Sequence, residues 1–197
     1  RATSDAGTAT ARATLDQPTE TPSPTPTHTQ TPTVRPTHTP TPRYPNDMRG
    51  KIVFTRKSTP WSNDTSEIWV LDLDTDSLLQ LTHNNAIDWI PAWSGDGSRI
   101  AFSSNLGGNH DLWVMNADGS DREPWITLEA WDDYPRWSPD GAQLAFATTA
   151  ETNGVWNSEI FVGTGNASLR RVTFNTGRDE WPTWSPDGRR LACSSDL

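Results

Sequence analysis

Carboxylates recur at a fixed distance ahead of a proline in this chain. Asp88, Asp132 and Asp179 each lie three residues before a proline, and Asp133 and Glu180 add a second carboxylate in two of the copies. If the copies meet around one channel, their clustered carboxylates favour a cation such as Ca²⁺ or a Lys or Arg side chain of a partner. The alternative interpretation is that each Asp caps its own turn by accepting hydrogen bonds from backbone N–H groups.

Tryptophans beside these acids form a second group of candidates. Trp89, Trp131 and Trp181 adjoin the recurring carboxylates, and Trp61 and Trp156 lie in segments that we expect to be loops. We place all five outside the regular strands, on a loop face where aromatic side chains anchor protein partners or stack on sugars. Packing between neighbouring repeats explains the same residues equally well.

The segments that position these side chains repeat along the sequence. A Trp-Ser-x-Asp-Gly motif begins at Trp93, Trp137 and Trp184, which are 44 and 47 residues apart. That period fits one four-stranded propeller blade and is too long for a repeat of two helices. The residues that the copies share are Pro91, Trp93, Asp96 and Gly97, then Pro135, Trp137, Asp140 and Gly141, and finally Pro182, Trp184, Asp187 and Gly188.

Each copy of the repeat predicts short strands joined by tight turns. Pro-x-Trp-Ser predicts a first strand, and x-Asp-Gly predicts a turn in which Gly adopts positive φ and Asp accepts a bond from the N–H two residues on. Apolar runs rich in β-branched and aromatic residues predict the second and third strands, with loops between them at 55–66, 104–111 and 148–158. Their nearly continuous apolar character predicts sheets covered on both faces, with each motif tryptophan packed against the following repeat.

The pattern P-x-W-S-P-D-G, followed by I/L-A-F, I/L-W-V-M-N-x-D-G and L-T, resembles the TolB-type, WD40-like β-propeller repeat called PD40. The resemblance covers roughly residues 50 to 197, and Gly95 stands where the motif has Pro. The Gly-His and Trp-Asp dipeptides of true WD40 repeats are absent at the expected places. The resemblance implies a non-catalytic, extracytoplasmic propeller, in the periplasm or at the cell surface, that binds protein or peptide.

The predicted fold class is all-β: a partial β-propeller of about half a ring, with four-stranded antiparallel blades, behind a disordered Thr/Pro-rich linker. The linker spans residues 1–47, where no apolar run offsets the entropy of ordering. The propeller spans 48–197, with blades at about 50–82, 88–127 and 132–173 and the start of a fourth at about 179–197. Since the chain begins at Arg1 and ends after a second strand, we expect a fragment, with any signal, membrane anchor or further domain outside it.

Charge argues against nucleic acid as a partner. The formal net charge is −9, and the first fifty residues carry +1, which leaves −10 for the repeats. A surface of that sign repels phosphate backbones and is compatible with cationic ligands or basic partner surfaces. We expect contact with a membrane only through an anchor or neighbouring domain, and nothing in the sequence fixes the oligomeric state.

Signals of catalysis are weak in this sequence, so we expect a module that is not an enzyme. It has no Gly-x-Ser-x-Gly elbow and no phosphate-binding loop. His110-Asp111 has the residue types of a metal ligand or an oriented base, and a structural or solvated pair is the alternative. Two other functions stay open: an auxiliary propeller of a prolyl-oligopeptidase-type serine peptidase, and the sensory ectodomain of a bacterial receptor kinase.

Overall fold

The structure is a computed structural model that describes residues 50–57, 65–152 and 155–197, the side chains of 150–152 excepted. These residues form β-strands in antiparallel sheets, and none of the described part of the chain forms a helix long and apolar enough to cross a membrane. The all-β prediction and the four-stranded blades are confirmed. The predicted linker at 1–47 and Trp61 lie outside the described residues.

Strands follow one another in each sheet in the order of the sequence. Blade 1 consists of β1 (Lys51–Lys57), β2 (Ser66–Asp72) and β3 (Ser77–Gln80). Blade 2 consists of β4 (Asp88–Trp93), β5 (Arg99–Ser104), β6 (Asp111–Asn116) and β7 (Glu123–Ile126). Blade 3 consists of β8 (Trp131–Trp137), β9 (Leu144–Thr152), β10 (Val155–Gly163) and β11 (Leu169–Arg171). Blade 4 has two described strands, β12 (Asp179–Trp184) and β13 (Leu191–Ser195).

The Trp-Ser-x-Asp-Gly turns fold as the sequence predicts. Gly97, Gly141 and Gly188 have φ of 71°, 68° and 68°, which glycine adopts at little cost. The hydroxyl of Ser94 and the N–H and hydroxyl of Ser98 donate to the Asp96 carboxylate. These bonds lower the pKa of Asp96 to about 2. The same Ser-to-Asp and backbone-to-Asp bonds recur in the other two copies, at Asp140 and Asp187.

Apolar clusters fill the spaces between neighbouring blades. One cluster joins Ile68, Val70 and Leu81 of blade 1 to Ile100, Phe102 and Met115 of blade 2. A second joins Ala101, Leu112, Val114 and Ile126 of blade 2 to Trp137, Leu144 and Phe146 of blade 3. Alternate residues of β5 therefore serve different clusters, because successive side chains of a strand point to opposite faces. Coverage of both faces is confirmed for the sheet of blade 2, which contributes to both clusters.

Each motif tryptophan packs against the preceding blade, so the expectation that it packs against the following one is wrong. Trp137 belongs to the cluster that contains blade 2, and Trp93 packs on the cluster that contains blade 1. The reason is cross-strand pairing: Trp137 lies opposite Leu144, and paired residues share a face of the sheet. Trp184 follows the same rule, since its Nε1–H donates to the carbonyl of Arg136 in blade 3 (3.2 Å).

A bulge interrupts the first strand of blades 2, 3 and 4 just before the proline. The pairing of β8 with β9 shifts between Asp133 and Arg136, and the same shift occurs in β4 and β12. The residue before each proline has positive φ: Ile90 at 51°, Tyr134 at 60° and Trp181 at 56°. This conformation is unusual for residues with bulky side chains. The first strands therefore begin upstream of the Pro-x-Trp-Ser segment that the sequence predicts.

The hairpin of β9 and β10 is longer than the sequence predicts. Residues 148–158 were expected to be a loop, and that expectation is wrong for most of the segment. Thr149 pairs with Ser158, and backbone pairing extends to Thr152 opposite Val155. β-Branched residues such as Thr148, Thr149 and Val155 favour this extended conformation. The long hairpin carries Trp156 within a strand.

Gly141 offers a test of the turn geometry. Its φ is 68°, and a Cβ added there would have Arg99 Nη2 as its nearest neighbour, at 3.9 Å. The cost of Gly141→Ala is therefore conformational, and we expect it to lower the free energy of unfolding by about 1 to 2 kcal/mol. Gly141→Asn is the matched control and should cost less, because Asn tolerates the left-handed region. Equal losses in urea denaturation would contradict this explanation.

Candidate functional site

The recurring aspartates are buried at the start of the first strands. Asp88 and Asp132 are fully buried, and Asp179 is 1% exposed. Asn84 Nδ2 donates to Asp88 (2.7 Å), as does the Ser104 hydroxyl (2.5 Å). In blade 4, Asn175 Nδ2 donates in the same way to Asp179 (2.7 Å). These bonds join the first strand to the preceding connection and, in blade 2, to the second strand. Their donors are side chains and not the backbone N–H groups of the capping interpretation.

In blade 3, Asp132 accepts hydrogen bonds at the equivalent positions, from the N–H of Leu128 (3.1 Å) and the hydroxyl of Thr148 (3.0 Å). Burial raises the pKa of Asp132 to about 7, although these two hydrogen bonds act to lower it. The nearby charges of Asp111 and Asp133 raise it further. Across residues 50–57, 65–152 and 155–197, no group of three or more His, Cys, Asp or Glu is arranged to hold a metal ion. The Ca²⁺ ring therefore has no set of ligands in this part of the chain.

The second carboxylate of each pair lies in a cleft with the tryptophans. The cleft has a volume of about 350 Å³ and involves residues of blades 2, 3 and 4. Its lining consists of Trp89, Trp131, Asp133, Tyr134, Thr149, Trp156, Arg178 and Glu180. The structure thus brings together five of the side chains that the sequence singles out: Trp89, Trp131, Asp133, Trp156 and Glu180. They are not on loops, however: Trp89, Trp131, Trp156 and Trp181 all lie within strands, because the first strands start early and the β9–β10 hairpin is long.

Aromatic rings form a continuous series along this cleft. His110 contacts Trp89 edge to face and stacks on Trp131, with ring centroids 5.2 Å apart in both pairs. Trp131 in turn lies 5.8 Å from Trp156. Tyr134 pairs with Trp181 at 4.1 Å. Trp131, Trp156 and Trp181 are each about half exposed, so their faces are open to a ligand.

Polar contacts hold the two cleft carboxylates in place. The Nε1–H of Trp89 donates to Oδ1 of Asp133 (3.1 Å), and His110 Nδ1 lies 3.5 Å from the same oxygen. Arg178 forms an ion pair with Glu180 (2.5 Å), which also accepts a bond from Ser158 (3.2 Å).

Tyr134 responds to the charge of the cleft. Burial raises the pKa of the Tyr134 hydroxyl, and the negative charges of Glu180 and Asp133 raise it further, while Arg178 acts in the opposite direction. The phenol therefore lies in a partly desolvated site where two carboxylates oppose its ionisation.

Tyr134 and Arg178 line this cleft but are not among the residues that the sequence singles out, and His110 packs beside the lining, on Trp89 and Trp131. Asp133 and Tyr134 are neighbours in the chain, and a regular strand would direct them to opposite faces. The bulge at Tyr134 allows both side chains to line the cleft. Aligning the repeats gives one signal: Tyr134 occupies the position of Trp181, and Arg178 occupies the position of Trp131.

Asp132 predicts a dependence of stability on pH. Its pKa is about 7 in the folded chain against an ordinary value of 3.8. The folded state therefore binds the proton more tightly than the unfolded state. The contribution of Asp132 to the free energy of unfolding is complete below about pH 4 and is lost as the pH rises through about 7. Relative to Asp132→Asn, the wild-type free energy of unfolding should fall by on the order of a few kcal/mol over this range.

Urea denaturation of both chains at a series of pH values measures this difference. Asn keeps a carbonyl oxygen for the Leu128 N–H and an amide for the Thr148 hydroxyl, so it preserves the cap without the charge. Other titrating groups act equally in both chains and cancel. Parallel stability curves would show that the Asp132 carboxyl is not protonated in the fold at neutral pH.

Comparison with known proteins identifies the fold. No family profile matches the chain. Dipeptidyl-peptidase 5 of Porphyromonas gingivalis is 42% identical over 48 residues, which are 24% of this chain and 7% of the peptidase. TolB from Acinetobacter baumannii is similar in structure, with a TM-score of 0.59 and 22% identity, covering 72% of this chain and 34% of TolB. Hydrazine synthase of Kuenenia stuttgartiensis has a TM-score of 0.61 and 19% identity, covering 74% of this chain and 27% of that one.

The chain spans about a third of the length of that TolB and smaller shares of the other two proteins. The structural likeness agrees with the sheet order, the repeat length and the Trp-Ser-x-Asp-Gly turns described above. The repeats of this chain therefore have the TolB-like β-propeller fold.

Proposed function

We propose that this chain is a non-catalytic, extracytoplasmic propeller module that binds a protein or peptide through the aromatic cleft. The observation that carries the proposal is the cleft itself: a concave site of about 350 Å³ where half-exposed tryptophans meet two fixed carboxylates. Partly exposed tryptophans are common anchors for protein partners, since they offer a large apolar area with few rotatable bonds.

Cleft shape favours a peptide over a flat protein surface. The lining comes from three successive blades, so an extended segment can contact all of them at once. Concave sites with apolar walls and a few placed polar groups are typical of small ligands and short peptide segments. The net charge of the repeats, −10, works against an anionic partner.

The proposed extracytoplasmic location has separate support. Its support is the TolB-type repeat pattern together with the likeness in fold to TolB. The non-catalytic assignment is supported by the sequence, which has no Gly-x-Ser-x-Gly elbow. The cleft carboxylates also have structural partners: Asp133 accepts from Trp89, and Glu180 pairs with Arg178.

A second candidate function is the auxiliary propeller of a serine peptidase. The 48-residue match to a dipeptidyl-peptidase favours it. In that case the same cleft would guide or select peptide substrates for a separate catalytic domain. The candidate predicts a Gly-x-Ser-x-Gly elbow and a later Asp and His in the reading frame after Leu197, and an extended reading frame without them would remove this alternative.

Peptide selection with the full chain tests the main proposal. Immobilised chain is used to select from a phage-displayed library of random peptides, and the selected peptides are then measured by calorimetry. We expect the double variant Trp131→Ala, Trp156→Ala to bind them at least about tenfold more weakly, because it removes two exposed walls of the cleft.

The matched control is Phe174→Ala. Phe174 is an aromatic residue that is 74% exposed and does not line the cleft, so its removal should leave peptide affinity unchanged. Circular dichroism and thermal melting confirm that the variants fold. Peptides that bind the double variant as tightly as the wild type, or a library that yields no binders, would contradict the proposal.

A further inference from the structure

We propose that the aromatic cleft recognises an ammonium group of the bound peptide, with Asp133 as the carboxylate that receives it. This inference rests on the proposed peptide-binding function and adds the chemical class of the group that enters the cleft. The structural observation behind it is the placement of a buried carboxylate between the indole of Trp89 and the open part of an aromatic-lined cavity.

Aromatic rings in this cleft, and those of His110 and Trp181 packed beside it, differ in orientation and do not form one flat platform. The ring planes meet at 87° between Trp89 and His110 and at 38° between Trp131 and Trp156. Tyr134 and Trp181 meet at 41°. Rings with different orientations can direct several π faces at one cation, which is the arrangement that binds alkylammonium groups. A sugar would instead favour a single exposed face on which to stack.

Charge in the cleft is unbalanced at Asp133. Glu180 already has a cationic partner, Arg178 at 2.5 Å. Asp133 is 7% exposed, and its Oδ1 receives the Trp89 N–H and lies near His110. Within the described residues, no donor reaches its Oδ2. Oδ2 is also not fully enclosed, so a cationic donor can reach it and form a charge-assisted hydrogen bond.

The surroundings of Tyr134 indicate a negative electrostatic potential in the cleft. Burial is the largest cause of the raised pKa of the Tyr134 hydroxyl, the negative charges of Glu180 and Asp133 raise that pKa further, and Arg178 lowers it. A cation that enters the cleft therefore meets an attractive potential as well as the π faces. The charge of the whole repeat region, −10, acts in the same direction.

One open acceptor oxygen suits an ammonium better than a guanidinium. Arg binds most strongly where two parallel acceptors match its planar fork, whereas an ammonium acts as a compact point charge. Arg178 already pairs with Oε1 of Glu180, the other carboxylate of the cleft. The source of the ammonium is either a lysine side chain or a peptide N-terminus, and these two are separated by experiment.

Short synthetic peptides test this inference. Four acetylated and amidated pentapeptides differ only in the central residue, which is lysine, trimethyllysine, arginine or norleucine. A fifth has glycine at the centre and a free N-terminal amine. Binding to the full chain is followed by the shifts of ¹⁵N-labelled indole N–H signals. We expect the lysine peptide or the free-amine peptide to bind at least about tenfold more tightly than the norleucine peptide and more tightly than the arginine peptide.

Matched variants assign the effect to Asp133. Asp133→Asn keeps an acceptor for the Trp89 N–H and removes the charge. It should therefore lower the affinity for the preferred ammonium peptide about tenfold and leave the affinity for the norleucine peptide unchanged. Glu123→Gln removes an exposed carboxylate from the outer strand β7 and should change neither. Trimethyllysine separates the hydrogen bond to Asp133 from the charge and the rings, because it keeps the charge and has no N–H to donate.

Failure of this inference can be told apart from failure of the proposed function. Equal affinity for the lysine, free-amine and norleucine peptides would overturn the ammonium assignment, as would an unchanged affinity in Asp133→Asn. Indole signals that no pentapeptide moves would also overturn it. Peptide binding through the cleft would still stand in each case if selected library peptides lose affinity in the Trp131→Ala, Trp156→Ala variant.

Discussion

Burial of sheet faces between neighbouring blades is the constraint on which the rest of the structure depends. Strand β5 shows it most clearly, because Ile100 and Phe102 face blade 1 while Ala101 belongs to the cluster shared with blade 3. A single blade leaves both of its apolar faces in water, so each blade acquires its stability from the next. The spacing of the blades is therefore set by the size of the side chains between them.

Contacts at the turns also hold blade 2 close to blade 3. Arg99 of blade 2 donates to the carbonyl of Gly141 in blade 3 (2.7 Å) and lies 4.3 Å from the ring of Trp137. At the same turns, a Cβ on Gly95 would come within 2.8 Å of the Pro139 carbonyl oxygen. The glycine that departs from the repeat motif is thus required by the close approach of the next blade.

Local chemistry made most of the fold predictable from the sequence. Trp-Ser-x-Asp-Gly specifies its own turn, since Asp96 and Gly97 satisfy it without help from the rest of the chain. The prediction of which neighbouring blade each motif tryptophan packs against was wrong. That direction depends on cross-strand pairing, which the spacing of the repeats does not reveal. The cleft was predicted in part: Trp89, Trp131, Asp133 and Glu180 were candidates. Tyr134 lines it because of a bulge, and its alignment with Trp181 is the one sequence signal for that position.

The cleft combines a fixed framework with positions that differ between repeats. Buried caps such as Asp132 hold the start of each first strand, so the neighbouring side chains are free to vary without loss of the fold. Isoleucine, tyrosine and tryptophan accordingly occupy the same bulge position in blades 2, 3 and 4. Bonds across the blade boundaries, from Trp89 to Asp133 and from Ser158 to Glu180, then fix these side chains relative to one another. The walls of the cleft are therefore organised before a ligand arrives, which lowers the entropic cost of binding.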